Sequence, residues 1–139
     1  MEELEDAKEI CVDTDVLIDF MKRKEPGSRV YEEWRNKASV GITTITVFEL
    51  LLAARHPNVK EKRYEEARSL IEQQSRVYPF DRSAADKASE IVAELRRLGK
   101  EIEIRDLFNA SICVNQSIPL LTRNKDHYQR IKSLKLLEV

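Results

Sequence analysis

No apolar run among these 139 residues approaches the roughly 20 needed to cross a bilayer. Cysteine is scarce. Cys11 and Cys113 stand far apart, each in an apolar run, which excludes a cysteine-paired metal site and predicts two buried free thiols. The two histidines, His56 and His127, have no zinc-like spacing and read as surface or loop residues. Neither charge sign is in excess. Lys and Arg number 24 against 25 Asp and Glu, for a net charge of −1, so no global basic field points to nucleic acid. The acidic start, with Glu2, Glu3, Glu5, Asp6 and Glu9 against Lys8 alone, is the opposite of a secretory leader. Repeats, low-complexity tracts and linkers are also lacking. What remains is a globular composition, 42% hydrophobic and 35% charged. The expectation is one cytoplasmic domain over 1–139, with 1–8 as a solvated lead-in and no membrane segment.

Hydrophobic periodicity then predicts strands alternating with helices. Strands are expected near 9–13, 39–43, 76–80, 118–122 and 135–138. Helices are expected near 15–23, 28–37, from 44 to 55, 58–75, from 81 or 83 to 98, 106–116 and 126–131. Pro26–Gly27 breaks the chain after the first helix, and Gly99 ends the long one. The fold class is α/β, a mainly parallel central sheet with helices on both faces.

Chemistry in such a sheet collects at the carboxyl ends of strands. Three acids fall there. Asp13 ends the first strand, Glu49 lies early in the helix after the second, and Asp106 starts the helix before IleProLeuLeuThr (118–122). Each also has a local reading. Asp13 or Asp15 suits a helix N-cap, Thr46 to Glu49 matches a capping box, and Asp106 suits an N-cap. Together they are harder to explain. Two carboxylates ~4 Å apart repel by roughly 4 kcal/mol at an effective dielectric of ~20. A cluster therefore calls for a proton or a cation, and all-oxygen ligands favour Mg²⁺ or Mn²⁺. ThrArgAsnLysAsp (122–126) ends a strand at the same edge. It adds the Thr122 hydroxyl, the Arg123 fork, and oxygens from Asn124 and Asp126, or forms an ordinary turn.

Four segments then carry a resemblance. ValAspThrAspValLeuIleAsp (12–19), ThrIleThrValPheGluLeuLeu (44–51), ArgAspLeuPheAsnAlaSerIle (105–112) and LeuLeuThrArgAsnLysAspHisTyr (120–128) occur in this order. Together they resemble the motifs of the PIN-domain ribonucleases and, within them, of the VapC-type toxins of toxin–antitoxin pairs. The likeness covers nearly the full length. It departs at Asp15, where the usual form has Asn, and at the fourth acidic slot, which Asn124 occupies with Asp126 two residues on.

The resemblance implies a Rossmann-like α/β/α sandwich, a single PIN-like domain. It implies a Mg²⁺-dependent ribonuclease in which Asp13 and Asp106 hold the metal and Glu49 orients metal or water. Asn124 and Asp126 are further members of the catalytic set, Asp126 as a second candidate for handling the water. Thr14, Asp15 and Thr122 support that set, and Arg123 with Lys125 contacts the RNA backbone. It also implies a homodimer held inactive by a cognate antitoxin, with the helices at 28–37 and 58–75 as a candidate groove. Two rivals are weighed. One is a degenerate PIN domain that binds RNA or a partner without cutting. The other is a haloacid-dehalogenase-like phosphatase, suggested by Asp13-Thr14-Asp15, which lacks the acidic pair that its last motif requires.

Overall fold

The computed structural model describes residues 4–139. Of the expected lead-in, residues 1–3 lie outside that range, and Leu4–Asp6 is a single exposed 3-10 turn. Five strands follow: β1 (Glu9–Val12), β2 (Ser39–Thr43), β3 (Val77–Tyr78), β4 (Leu120–Thr122) and β5 (Leu136–Glu138). They form one sheet in the order β3-β2-β1-β4-β5. Every pairing is parallel, as the alternation of strands and helices requires. β1 lies in the middle, between β2 and β4. The chain winds to one side of β1 first and to the other later, so a crevice opens beyond its carboxyl end.

Alternation along β1 divides the core. Cys11 faces a cluster built with Ala84, Ile91, Leu107, Ile112 and Cys113. Ile10 and Val12 face a second cluster with Val16, Leu17, Tyr31, Trp34 and Leu50. Two such layers sandwich a sheet whose central strands are apolar on both faces. One layer holds α5 (Arg82–Arg97) packed on α6 (Ile104–Gln116). The other holds α1 (Thr14–Lys22), α2 (Gly27–Arg35), α3 (Thr44–Ala54) and α4 (Glu61–Glu72), with α1 packed on α2 and α3 on α4. A short α7 (Lys125–Tyr128) follows β4. Both cysteines are free and buried.

At three helix starts the cap differs from expectation, and two of the differences matter for the acids. Thr43 caps α3, its Oγ1 accepting the Thr46 N–H at 3.1 Å. The capping box from Thr46 to Glu49 therefore does not form, and the Glu49 carboxylate is free for other work. Glu103 caps α6, accepting from the N–H groups of Arg105 and Asp106, so Asp106 sits inside the helix with its side chain released. The third is α2, which begins at Gly27 with Pro26 before it rather than at Ser28. A Cβ on Gly27 would lie 2.4 Å from Asp19 Oδ2, so glycine permits the close approach of α1 to α2.

Candidate active site

Asp13 terminates β1 and caps α1. The cap reading and the site reading are both satisfied, because one carboxylate does both jobs. Its Oδ1 accepts the Thr14 N–H at 2.9 Å and the Asn109 amide at 3.3 Å. Its Oδ2 accepts the Thr122 hydroxyl at 2.7 Å. The Tyr128 hydroxyl lies 3.5 Å from Oδ1. Every one of these partners is neutral. Burial pushes the Asp13 carboxyl up to about 7, and the charges of Asp15 and then Asp106 add to the shift, while Thr122 and Thr14 pull against it.

Asp106 approaches from α6. Its Oδ1 accepts the Tyr128 hydroxyl at 3.2 Å, and His127 Nδ1 lies 3.6 Å from its Oδ2. Tyr128 thus stands between the two aspartates. Glu49 joins the edge from α3. The Thr14 hydroxyl donates to Glu49 Oε1 at 2.8 Å and lies 3.0 Å from Thr46 Oγ1. On its other side, Arg105 Nη1 is 3.7 Å from Glu49 Oε2. The three acids therefore meet in two steps, Asp13 with Asp106 around Tyr128, and Glu49 through Thr14.

Asp15 takes a different place. Both of its carboxylate oxygens are buried without a hydrogen-bond partner. Burial raises its pKa, an effect that the charge of Arg123 offsets in part. Arg123 Nε lies 3.8 Å from Asp15 and 3.1 Å from Asp19 Oδ2. Lys125 is paired with Glu138, which β4–β5 pairing sets opposite Thr122. Both cations expected at RNA are thus already matched to acids of this chain. Thr122 holds Asp13 and also accepts the Asn124 N–H at 2.9 Å. Asn124 and Asp126 are exposed. Asp126 lines a depression with Lys100, Gln129 and Arg130 that Asp13 and Asp106 do not line. Asp126 thus stands apart from the acid pair, whereas the Asn124 backbone reaches Asp13 through Thr122.

Sequence reasoning passed over Asn109 and Tyr128, the two side chains that join the aspartates. A signal was present for Asn109, which stands three residues after Asp106 and so on the same helix face. Tyr128 ends the fourth motif, with nothing in its sequence neighbours to mark it as a link between the aspartates. A cavity of about 500 Å³ opens beside Asp106, lined by Glu101, Ile102, Glu103, His127 and Arg130.

Among the described residues, no group of three or more His, Cys, Asp or Glu side chains could hold a metal ion. The donor set nevertheless suits Mg²⁺, which takes one or two carboxylates and completes its shell with water and phosphate oxygens. Asp13 and Asp106 supply two carboxylates on either side of the Tyr128 hydroxyl, and every donor to Asp13 is neutral.

Comparison with known proteins follows the same lines. Ribonuclease VapC1 of Methanocaldococcus jannaschii is 29% identical over 134 residues, spanning 96% of this chain and 88% of that protein. Among solved structures, VapBC2 from Rickettsia felis, bound to a DNA fragment from its promoter, matches with a TM-score of 0.83 and 20% identity. The match covers 94% of this chain and 98% of that one. FitAcB from Neisseria gonorrhoeae matches with a TM-score of 0.75 and 25% identity, covering 92% and 96%. Residues 10–133 match the family pattern described as PIN domain, a span that takes in every candidate site residue from Asp13 to Asp126, and this chain belongs to the PIN domain family.

Proposed function

We propose that this chain is a Mg²⁺-dependent endoribonuclease that acts as a VapC-type toxin and is neutralised by a cognate antitoxin. One observation carries the reading. Asp13 is a buried carboxylate met by neutral donors only, opposite Asp106, at the carboxyl end of the central strand. A nuclease needs a cation at such a place, and a merely structural acid does not. The 29% identity to a protein named a ribonuclease supports the activity. The likeness to a toxin–antitoxin complex from Klebsiella pneumoniae and to VapBC-5, of a family of toxin–antitoxin systems, from Mycobacterium tuberculosis supports the partner.

Asp13 and Asp106 would hold Mg²⁺, or Mn²⁺ in its place. Bound there, the ion would lower the pKa of a water and offset charge on the phosphoryl group. Glu49 would orient the attacking water and accept its proton. Thr14 fixes the Glu49 carboxylate through its hydroxyl, and Arg105 Nη1 lies on its other side. Arg130 and His127 line the cavity at Asp106 and supply donors to an RNA phosphate. Arg123 and Lys125 bind the RNA backbone only by giving up Asp19 and Glu138.

A groove of about 1070 Å³ runs between α1, α2 and α4, lined by Phe20, Met21, Ser28, Arg63 and Leu70 among others. It is the antitoxin site in this reading. Exposed Phe48 and Leu52 share a face of α3 and offer apolar surface to a second copy, as the homodimer requires. Among the described residues no helix is long and apolar enough to cross a membrane, in keeping with action on cytoplasmic RNA.

The test is cleavage of labelled RNA oligonucleotides by the purified chain in Mg²⁺, Mn²⁺ or EDTA. Cleavage in either metal, lost in EDTA and in both Asp13→Asn and Asp106→Asn, is expected. Cleavage that survives both substitutions rejects the assignment of the site. RNA binding without cleavage in any metal favours a non-catalytic PIN domain.

A further inference from the structure

Asn109 and Tyr128 are 2% and 1% exposed, yet both bring polar atoms into the core. Leucine or phenylalanine would fill much the same space without a buried polar group to satisfy. Their hydrogen bonds run in one direction. Thr43 Oγ1 already accepts the Thr46 N–H, so its proton goes to Asn109 Oδ1 at 2.6 Å. That bond fixes the amide, and its NH₂ then faces the site. It lies 3.3 Å from Asp13 Oδ1 and 3.3 Å from the Tyr128 hydroxyl oxygen. With that oxygen accepting, the phenol proton goes to Asp106 Oδ1 at 3.2 Å.

We infer that Asn109 and Tyr128 are positioning residues: the chain from Thr43 through Asn109 to Tyr128 sets the Asp13 and Asp106 carboxylates toward one shared divalent cation before that cation binds. The inference rests on the metal-dependent reading of the site. The relay has a clear physical role. Two carboxylates that repel each other are held together by neutral donors, one on each, and none of these adds a competing charge. Thr43 ties the arrangement to the end of β2, so the spacing of the pair depends on three elements and not on one loop. Partners of this kind around metal ligands are typically worth 10–100-fold in metal affinity or activity.

Tyr128→Phe removes only the hydroxyl, and Asn109→Ala removes the amide. Mn²⁺ affinity is measured by calorimetry and by electron paramagnetic resonance, with RNA cleavage followed across Mn²⁺ concentration. Each variant is expected to bind Mn²⁺ about 10–100-fold more weakly and to lose kcat at low metal. The KM for RNA stays the same, and kcat recovers at saturating Mn²⁺, which a damaged fold would not allow. Tyr128→Phe keeps the ring in the core and decides alone if Asn109→Ala unfolds. Unchanged Mn²⁺ affinity in Tyr128→Phe, alongside lost affinity in Asp106→Asn, overturns the positioning role and leaves the nuclease reading intact. Unchanged affinity in Asp13→Asn and Asp106→Asn overturns both.

Discussion

Asp13 and Asp19 are buried carboxylates on the same short stretch of chain, 6% and 3% exposed, and their surroundings are opposites. Asp19 has a guanidinium, Arg123 Nε at 3.1 Å. Asp13 has Thr14, Asn109, Thr122 and Tyr128, all neutral. The chain balances one acid from its own side chains and leaves the other charge open. Hydrogen bonds alone orient a carboxylate but do not cancel it, and Asp13 answers by holding its proton up to about 7. An acid with a built-in cation belongs to the fold, whereas an acid with only neutral donors is free to accept a cation from outside.

The largest expected effect that sharpens this contrast is on pH. Asp13 moves from its ordinary 3.8 to about 7 in the folded chain. Between those values the folded state holds more protons than the unfolded one, so metal-free stability falls as pH rises through the window. The fall is on the order of 4 kcal/mol at most. Urea unfolding in EDTA from pH 4 to 8 should show it in the wild type. In Asp13→Asn it should be missing, and that variant should be the more stable above pH 7. A variant less stable at every pH would make Asp13 an ordinary cap and erase the contrast.

The Asp19 side is probed from its neighbour. Gly27→Ala puts a Cβ 2.4 Å from Asp19 Oδ2 and 2.8 Å from Asp19 Cβ, where backbone and carboxylate must shift. A loss of about 1–3 kcal/mol in urea melts is expected. Arg123→Met leaves Asp19 without its cation. The guanidinium is half exposed, so the loss should be about 1–2 kcal/mol, between values for buried and surface pairs. RNA affinity should change little, because the charge removed is already matched. A large drop in affinity with no loss of stability would restore Arg123 as an RNA contact. Lys125→Ala is the smallest change, within about 0.5 kcal/mol, since Lys125 and Glu138 are both exposed.

The strands and their parallel pairing were legible because apolar runs such as Ile10–Val12 and Leu120–Leu121 are broken by polar residues at their ends. Asp13, Glu49 and Asp106 were legible as a set because each stands where an element starts or stops. Their local alternatives were not separable in advance. Thr43, Thr44 and Thr46 all offer cap hydroxyls, and only the start of α3 decides that Thr43 is used. The pairing of Arg123 with Asp19 depends on β4 lying beside β1, and that of Lys125 with Glu138 on the register of β5. Asn109 and Tyr128 were hidden for the same reason. An Asn within a helix and a Tyr after a strand carry no mark of each other until α6 and α7 close on the end of β1.

The middle position of β1 has a consequence for the order in which the chain is made. Asp13 leaves the ribosome early, but three of its partners, Asn109, Thr122 and Tyr128, come 96, 109 and 115 residues later. A nascent chain can pair β1 with β2 and bury Ile10 and Val12 well before any of them exists. Until β4 slots in beside β1, the acids remain separate side chains with no shared centre. The two aspartates thus come together only once β4 and α7 have formed, whatever part of the sheet has folded before them.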